Sequence, residues 1–97
     1  MKGYLIANID VRDLSAFEEY RQKVSPLIAR FGGRYLVRGG KLNNLEGNLA
    51  LKRLVVLEFP SLGEAQRFYD SPEYKPLLDL RAASTVSDVV IVEGYAG

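Results

Sequence analysis

The sequence predicts an α+β fold of four strands and two helical regions in the order β-α-β-β-α-β. Apolar runs rich in β-branched residues recur along the chain, as YLIANIDV (Tyr4 to Val11), RYLVR (Arg34 to Arg38), KRLVVLEF (Lys52 to Phe59) and VSDVVIVEG (Val86 to Gly94). Between the first and second, and between the third and fourth, apolar residues return at three- and four-residue steps. Glycine, proline and capping residues mark the joints.

The first strand is Tyr4 to Val11. Asp13 then caps a helix in which Leu14, Phe17, Val24, Leu27, Ile28 and Phe31 form the apolar stripe. Pro26 deletes one intrahelical hydrogen bond, which predicts a kink or a helix in two pieces. Gly32-Gly33 end that helix, because glycine accepts the left-handed conformation of a C-terminal cap. The second strand, Arg34 to Arg38, follows at once. A connection from Gly39 to Leu51 leads to the third strand. Pro60 breaks it, and Ser61-x-x-Glu64 is a capping box opening a helix through Tyr69. Ser71-Pro72 restarts the helix, with serine as cap and proline at the first helical position, and this piece runs to about Ala83. The last strand is Val86 to Gly94. The order is the split pattern of a ferredoxin-like sandwich with a four-stranded antiparallel sheet. Residues 1–97 read as one domain, with no internal repeat, low-complexity stretch or linker.

Composition sets bounds on function. Thirteen basic and twelve acidic side chains leave a net charge of +1, which gives no electrostatic reason to expect nucleic acid or an anionic membrane as partner. The apolar start is short and broken by Asn8 and Asp10, without a signal-peptide pattern, and no segment approaches the roughly 20 apolar residues of a membrane span. The cytoplasm is the expected location. With no cysteine and no histidine, a disulfide frame, a thiolate nucleophile, a Ser-His-Asp triad and histidine-ligated haem are all excluded. No carboxylates have the spacing of a metal loop, and no glycine-rich turn leads from a strand into a helix. No metal or cofactor is expected. Catalysis, if the protein has any, runs on carboxylate, arginine and tyrosine.

The strands carry a further clue. With helices on one face, a solvated second face should alternate polar residues. YLIANI, RLVVLEF and DVVIV are instead apolar on both faces for several residues. Something covers the second face, and in a chain this short the economical cover is a second copy, sheet against sheet, across a two-fold axis.

The stretch FGGRYLVRGG, Phe31 to Gly40, combines four glycines and two arginines around Tyr35-Leu36-Val37. It is not a phosphate loop, because its glycines follow a helix and open a strand. It also lacks the aromatic-rich core of an RNA-recognition strand. Simple alternation puts Arg34, Leu36 and Arg38 on one face and Tyr35 and Val37 on the other.

Three more charges sit where plain patterning would not put them. Glu58 shares the face of Leu54 and Val56, Arg81 shares the inward stripe of Tyr74, Leu77 and Leu78, and Asp10 ends the first strand on the face of Ile6 and Asn8. A charge on a buried face needs a partner. One reading pairs Glu58 with Arg34 or Arg38 across strands and lets Arg81 snorkel at a helix end. The other takes Arg38 and Arg81 into a pocket between helices and sheet, where they hold a carboxylate or enolate with Glu58 as proton acceptor. Tyr20, Tyr69 and Tyr74 offer hydroxyls to such a pocket, or are core. Glu46, on a connection of about a dozen residues, is a turn carboxylate first and a lid residue second.

YLIANIDVRD, GGRYLVRGG, the LEG at Leu45 to Gly47, VVLEFPS and YDSPEYKPLLDLR occur in an order that resembles a bacterial family, the domain-of-unknown-function family thirteen-thirty, over nearly the whole length. The resemblance implies a dimeric α+β barrel, in which two ferredoxin-like sheets face each other. That superfamily includes cofactor-free monooxygenases, muconolactone-type isomerases and haem enzymes, and this chain lacks the histidine of the haem branch. The family itself brings no reaction. Arg34, Arg38, Glu46, Glu58, Tyr74 and Arg81 fall inside its signature blocks. The expected function is a homodimer that binds, or converts without cofactor, a small organic acid or aromatic carbonyl compound. Its rival is a non-catalytic dimerisation or sensing module whose charges are paired for structure alone.

Overall fold

The computed structural model describes residues 1–96. The element order is β1 (Gly3–Val11), α1 (Leu14–Arg30), β2 (Arg34–Arg38), β3 (Leu54–Phe59), α2 (Leu62–Asp70), α3 (Lys75–Ser84) and β4 (Thr85–Glu93). The strands form one antiparallel sheet in the order β2-β3-β1-β4. This is the ferredoxin-like arrangement that the split β-α-β-β-α-β order predicts.

The helices lie on one face. Leu5, Ala7 and Ile9 of β1 and Leu57 and Phe59 of β3 point toward them and pack with Phe17, Tyr20, Val24, Leu27, Ile28, Ala65, Phe68 and Tyr74. The other face carries Ile6, Leu54 and Val56, half-buried, and Val90 and Val92, exposed. The register sets Ile6 between Val56 and Val90, so these side chains form one apolar surface open to solvent.

Most boundaries follow local chemistry. Asp13 caps α1, its Oδ1 accepting from the Ala16 amide at 3.2 Å. Ser61 caps α2 through the Glu64 amide at 3.1 Å. Gly32, at φ +79°, turns the chain out of α1. Of the two outcomes expected at Pro26, a helix in two pieces is ruled out, because α1 runs through it as one helix, and Ser25 Oγ donates to the Arg21 carbonyl at 3.0 Å just before the proline. The helix restart expected at Ser71 is corrected. Ser71-Pro72 opens only a turn, in which Ser71 Oγ accepts from the Tyr74 amide at 3.2 Å, and α3 begins at Lys75.

The larger correction concerns β2. Arg34 pairs with Glu58 and Tyr35 with Leu57, but Val37 pairs with Val56 and Arg38 with Val55. A bulge at Leu36 inserts one extra residue, and everything after it changes face. Arg34 stays on the open side, whereas Arg38 turns to the helix side with Tyr35. Simple alternation had put the two arginines together.

Candidate functional site

A cavity of about 40 Å³ lies between the sheet and the helices. Its apolar wall comes from alternate residues of the central strands, Leu5, Ala7 and Ile9 of β1 and Val55 and Leu57 of β3, facing Phe17, Val24 and Ile28 of α1. Its polar wall is four arginines, Arg21, Arg38, Arg53 and Arg81, and three tyrosines, Tyr20, Tyr35 and Tyr74. Among the described residues, no aspartate or glutamate lines it.

Arg81 is the inner charge, 7% exposed, on the last turn of α3. Its Nε donates to the Tyr74 hydroxyl at 3.3 Å, and that hydroxyl shares a hydrogen bond with Tyr20 at 2.9 Å. Ser84 and Thr85 hydroxyls donate to the Arg81 carbonyl at 3.3 and 2.7 Å, which fixes the end of the helix and hence the base of the side chain. Burial works against the guanidinium, but the oxygens of Tyr74, Tyr20 and Tyr69 outweigh it and keep its pKa above the ordinary value. Burial, and then Tyr74, pushes the Tyr20 hydroxyl far above the usual phenol range, so it is a neutral donor and not a base.

Arg38 and Arg53 form the outer end. Arg38 lies over the Tyr35 ring at 4.3 Å and donates to Ser25 Oγ at 3.3 Å, while Ser25 also bonds the Tyr35 hydroxyl at 3.2 Å. The Arg53 guanidinium lies over the Phe17 ring at 5.5 Å. It passes beneath Gly39, where a Cβ would stand 2.8 Å from its Cζ. Gly39 is therefore glycine twice over, for its φ of +69° and for the arginine under it. Arg21 bonds Glu18 through Nη1 at 2.8 Å, but its buried Nε has no acceptor among the described residues. Among those residues, no carboxylate oxygen lies within 4.0 Å of the guanidinium nitrogens of Arg38, Arg53 or Arg81.

The structure thus brings Arg38, Arg81 and Tyr74 together and separates the other candidates. Glu58 faces the open side, accepting from Arg34 Nε at 2.9 Å and from the Tyr4 hydroxyl at 3.1 Å. Its side chain cannot act as proton acceptor in a cavity on the opposite face of the sheet, and Arg34 leaves the cavity with it. Tyr69 stands behind Tyr74, ring centroids 5.5 Å apart, without lining the space. Glu46 is exposed on the β2–β3 connection. Arg21 and Arg53 are the cavity residues that sequence reading missed. Both carried a signal, since Arg21 shares a helical stripe with Val24 and Ile28, and Arg53 precedes Val55 and Leu57 at two-residue steps.

The sheet and helices define a ferredoxin-like α+β protein, and solved structures share that fold with the chain. One is a protein of unknown function from Rhodopseudomonas palustris, with a TM-score of 0.79 and 16% identity, covering 99% of this chain and 84% of that one. Another is a dimeric ferredoxin-like protein of unknown function from Jannaschia sp. CCS1, with a TM-score of 0.71 and 13% identity, covering 97% of this chain and 100% of that one. A third is SnoaB, a cofactor-independent oxygenase from Streptomyces nogalater, with a TM-score of 0.62 and 13% identity, covering 99% and 95%. No curated protein matches. The chain belongs to the family described as Domain of unknown function (DUF1330), whose model matches residues 2–95.

Proposed function

We propose that this protein is a homodimer, sheet facing sheet, and that each subunit binds a small organic acid or aromatic carbonyl compound in the cavity between its sheet and helices. The observation that carries the binding reading is Arg81, a buried guanidinium bonded to the Tyr74 hydroxyl, itself bonded to Tyr20, and matched by no carboxylate among the described residues. A buried charge without a counter-charge is costly, and an anionic ligand supplies the missing partner. Arg81 and the Tyr74 and Tyr20 hydroxyls would hold the anion, with Arg38 at the mouth. The apolar wall would hold the carbon body.

The lining favours binding and oxyanion stabilisation over proton abstraction, because every ionisable group on it is an arginine or a tyrosine. Conversion without a cofactor would draw on acidity that the substrate itself brings. The homodimer is supported by the open apolar face around Ile6, Val56 and Val90 and by the dimeric neighbours of the same fold. The rival reading, a dimerisation module whose charges are structural, is favoured by one observation, the Arg34–Glu58–Tyr4 group on that open face.

A thermal-shift panel of keto, hydroxy and phenolic acids separates the readings. A ligand at a hundred times its dissociation constant adds roughly 2.7 kcal/mol. Each kcal/mol moves the midpoint of a domain this size by about 4–8 °C. A shift lost in Arg81→Gln supports the binding site, whereas a flat panel leaves the interaction module.

A further inference from the structure

We propose that the ligand is a compact dianion with two separated anionic groups, a short-chain dicarboxylate in its simplest form. This inference rests on the anion-binding reading above and specifies the class of ligand that the cavity selects.

The argument is a count of charges and their placement. Arg81 is at the buried end. Arg38 and Arg53 are at the other end, on the same side of the sheet, since Arg38 pairs with Val55, Arg53 precedes Val55 by two residues, and both line the cavity. Between the two ends runs an aromatic path. Arg53 is over Phe17, Phe17 is 5.9 Å from Tyr20 between centroids, and Tyr20 is 6.5 Å from Tyr74, whose hydroxyl meets Arg81. The positive groups are thus gathered at two poles across an apolar and aromatic waist, not around one point. A single carboxylate on Arg81 leaves the outer pair unmatched, and a carboxylate on the outer pair leaves the buried Arg81 unmatched. The buried Nε of Arg21, which lacks an acceptor among the described residues, is one more donor on the same wall. One molecule with an anionic group at each end satisfies both poles. The cavity's 40 Å³ admits about three water molecules, so the carbon body between the heads is short.

The chemistry at each pole differs. At the inner pole the Tyr20 and Tyr74 hydroxyls join one guanidinium, which suits a carboxylate or an enolate oxygen. At the outer pole two guanidinium forks stand in partial contact with solvent, which suits a fully ionised carboxylate.

The test is isothermal titration of the intact protein, at fixed ionic strength, with malonate, succinate and glutarate against the matched monoacids propionate, butyrate and valerate. At least one diacid should bind ten-fold or more tightly than its monoacid. Arg38→Gln and Arg53→Gln, which touch the exposed and half-buried end and leave the core intact, should erase that preference by weakening each diacid far more than its matched monoacid. Arg81→Gln should weaken both ligand types. Equal affinity for diacid and monoacid, or an outer-pole variant that keeps the preference, overturns the dianion inference and leaves the anion site standing. Absence of binding by any of the six acids overturns the dianion inference, and the panel of keto, hydroxy and phenolic acids then decides the binding reading by itself.

Discussion

At the scale of single residues, Arg81 is a buried charge whose neighbours are tyrosine oxygens. Its stem is methionine-like in length, and its head has tyrosine oxygens but no carboxylate beside it. Removing Arg81 strands no carboxylate among the described residues, the Tyr74 and Tyr20 hydroxyls keep each other as partners, and methionine fills a similar volume. Arg81→Met should therefore unfold at a denaturant concentration similar to the parent's while losing organic-acid binding. Chemical denaturation and calorimetry on one preparation check both halves. Tyr74→Phe breaks the chain from Arg81 to Tyr20 and leaves the Tyr20 hydroxyl buried, so a loss of about 1–3 kcal/mol is expected. On the opposite face, the Arg34 guanidinium, helped by the Tyr4 hydroxyl, holds the Glu58 carboxyl below its ordinary range although burial pulls the other way. A carboxyl with a lowered folded pKa adds stability that is complete above its unfolded value, about 4.3, and is lost as pH falls through the folded value. Glu58→Gln should flatten that part of the acid limb in a urea-stability profile. Binding in the cavity should instead be flat from about pH 6 to 9, because its lining holds no histidine, cysteine, aspartate or glutamate among the described residues.

At the scale of elements, strand positions and caps were legible because each depends on a few neighbouring residues. The run of apolar residues in LVVLEF, the Asp13 cap and the Ser61 box needed no knowledge of the rest of the chain. The face of Arg38 was not legible, because the bulge at Leu36 is set by pairing with a strand beyond the long connection. Arg21 and Arg53 were legible in their spacing and were passed over because charged residues are ordinarily read as surface. The absence of a partner for Arg81 was beyond any pattern, since it depends on what four elements bring to one place. The joint after the bulge is testable. Gly39→Ala places a Cβ in a left-handed conformation and 2.8 Å from the Arg53 head. A loss of roughly 1–2 kcal/mol is expected from the backbone alone, accompanied by weaker organic-acid binding as Arg53 is displaced. Calorimetry that finds full binding in this variant would remove Arg53 from the site.

At the scale of the whole molecule, two layers leave one sheet face uncovered. Val90, 57% exposed, stands on the edge strand β4 beside Ile6. Val90→Asp should convert the proposed dimer to monomer in sedimentation equilibrium while the far-ultraviolet spectrum keeps its α+β shape. The outcome against the interface is a variant with unchanged mass in solution. No helix among the described residues is long and apolar enough to cross a membrane, and the same face read as a lipid contact would need a charge bias that thirteen basic and twelve acidic residues do not give. The alternation of the pleat has a consequence for how such a protein changes over time. In β1, β3 and β4 the odd-numbered side chains turn toward the cavity layer and the even-numbered ones toward the open face. Substitutions at neighbouring positions therefore act on different surfaces, odd ones on the cavity layer and even ones on the open face. At Leu36 that parity reverses, and one extra residue carries Arg38 onto the face opposite Arg34.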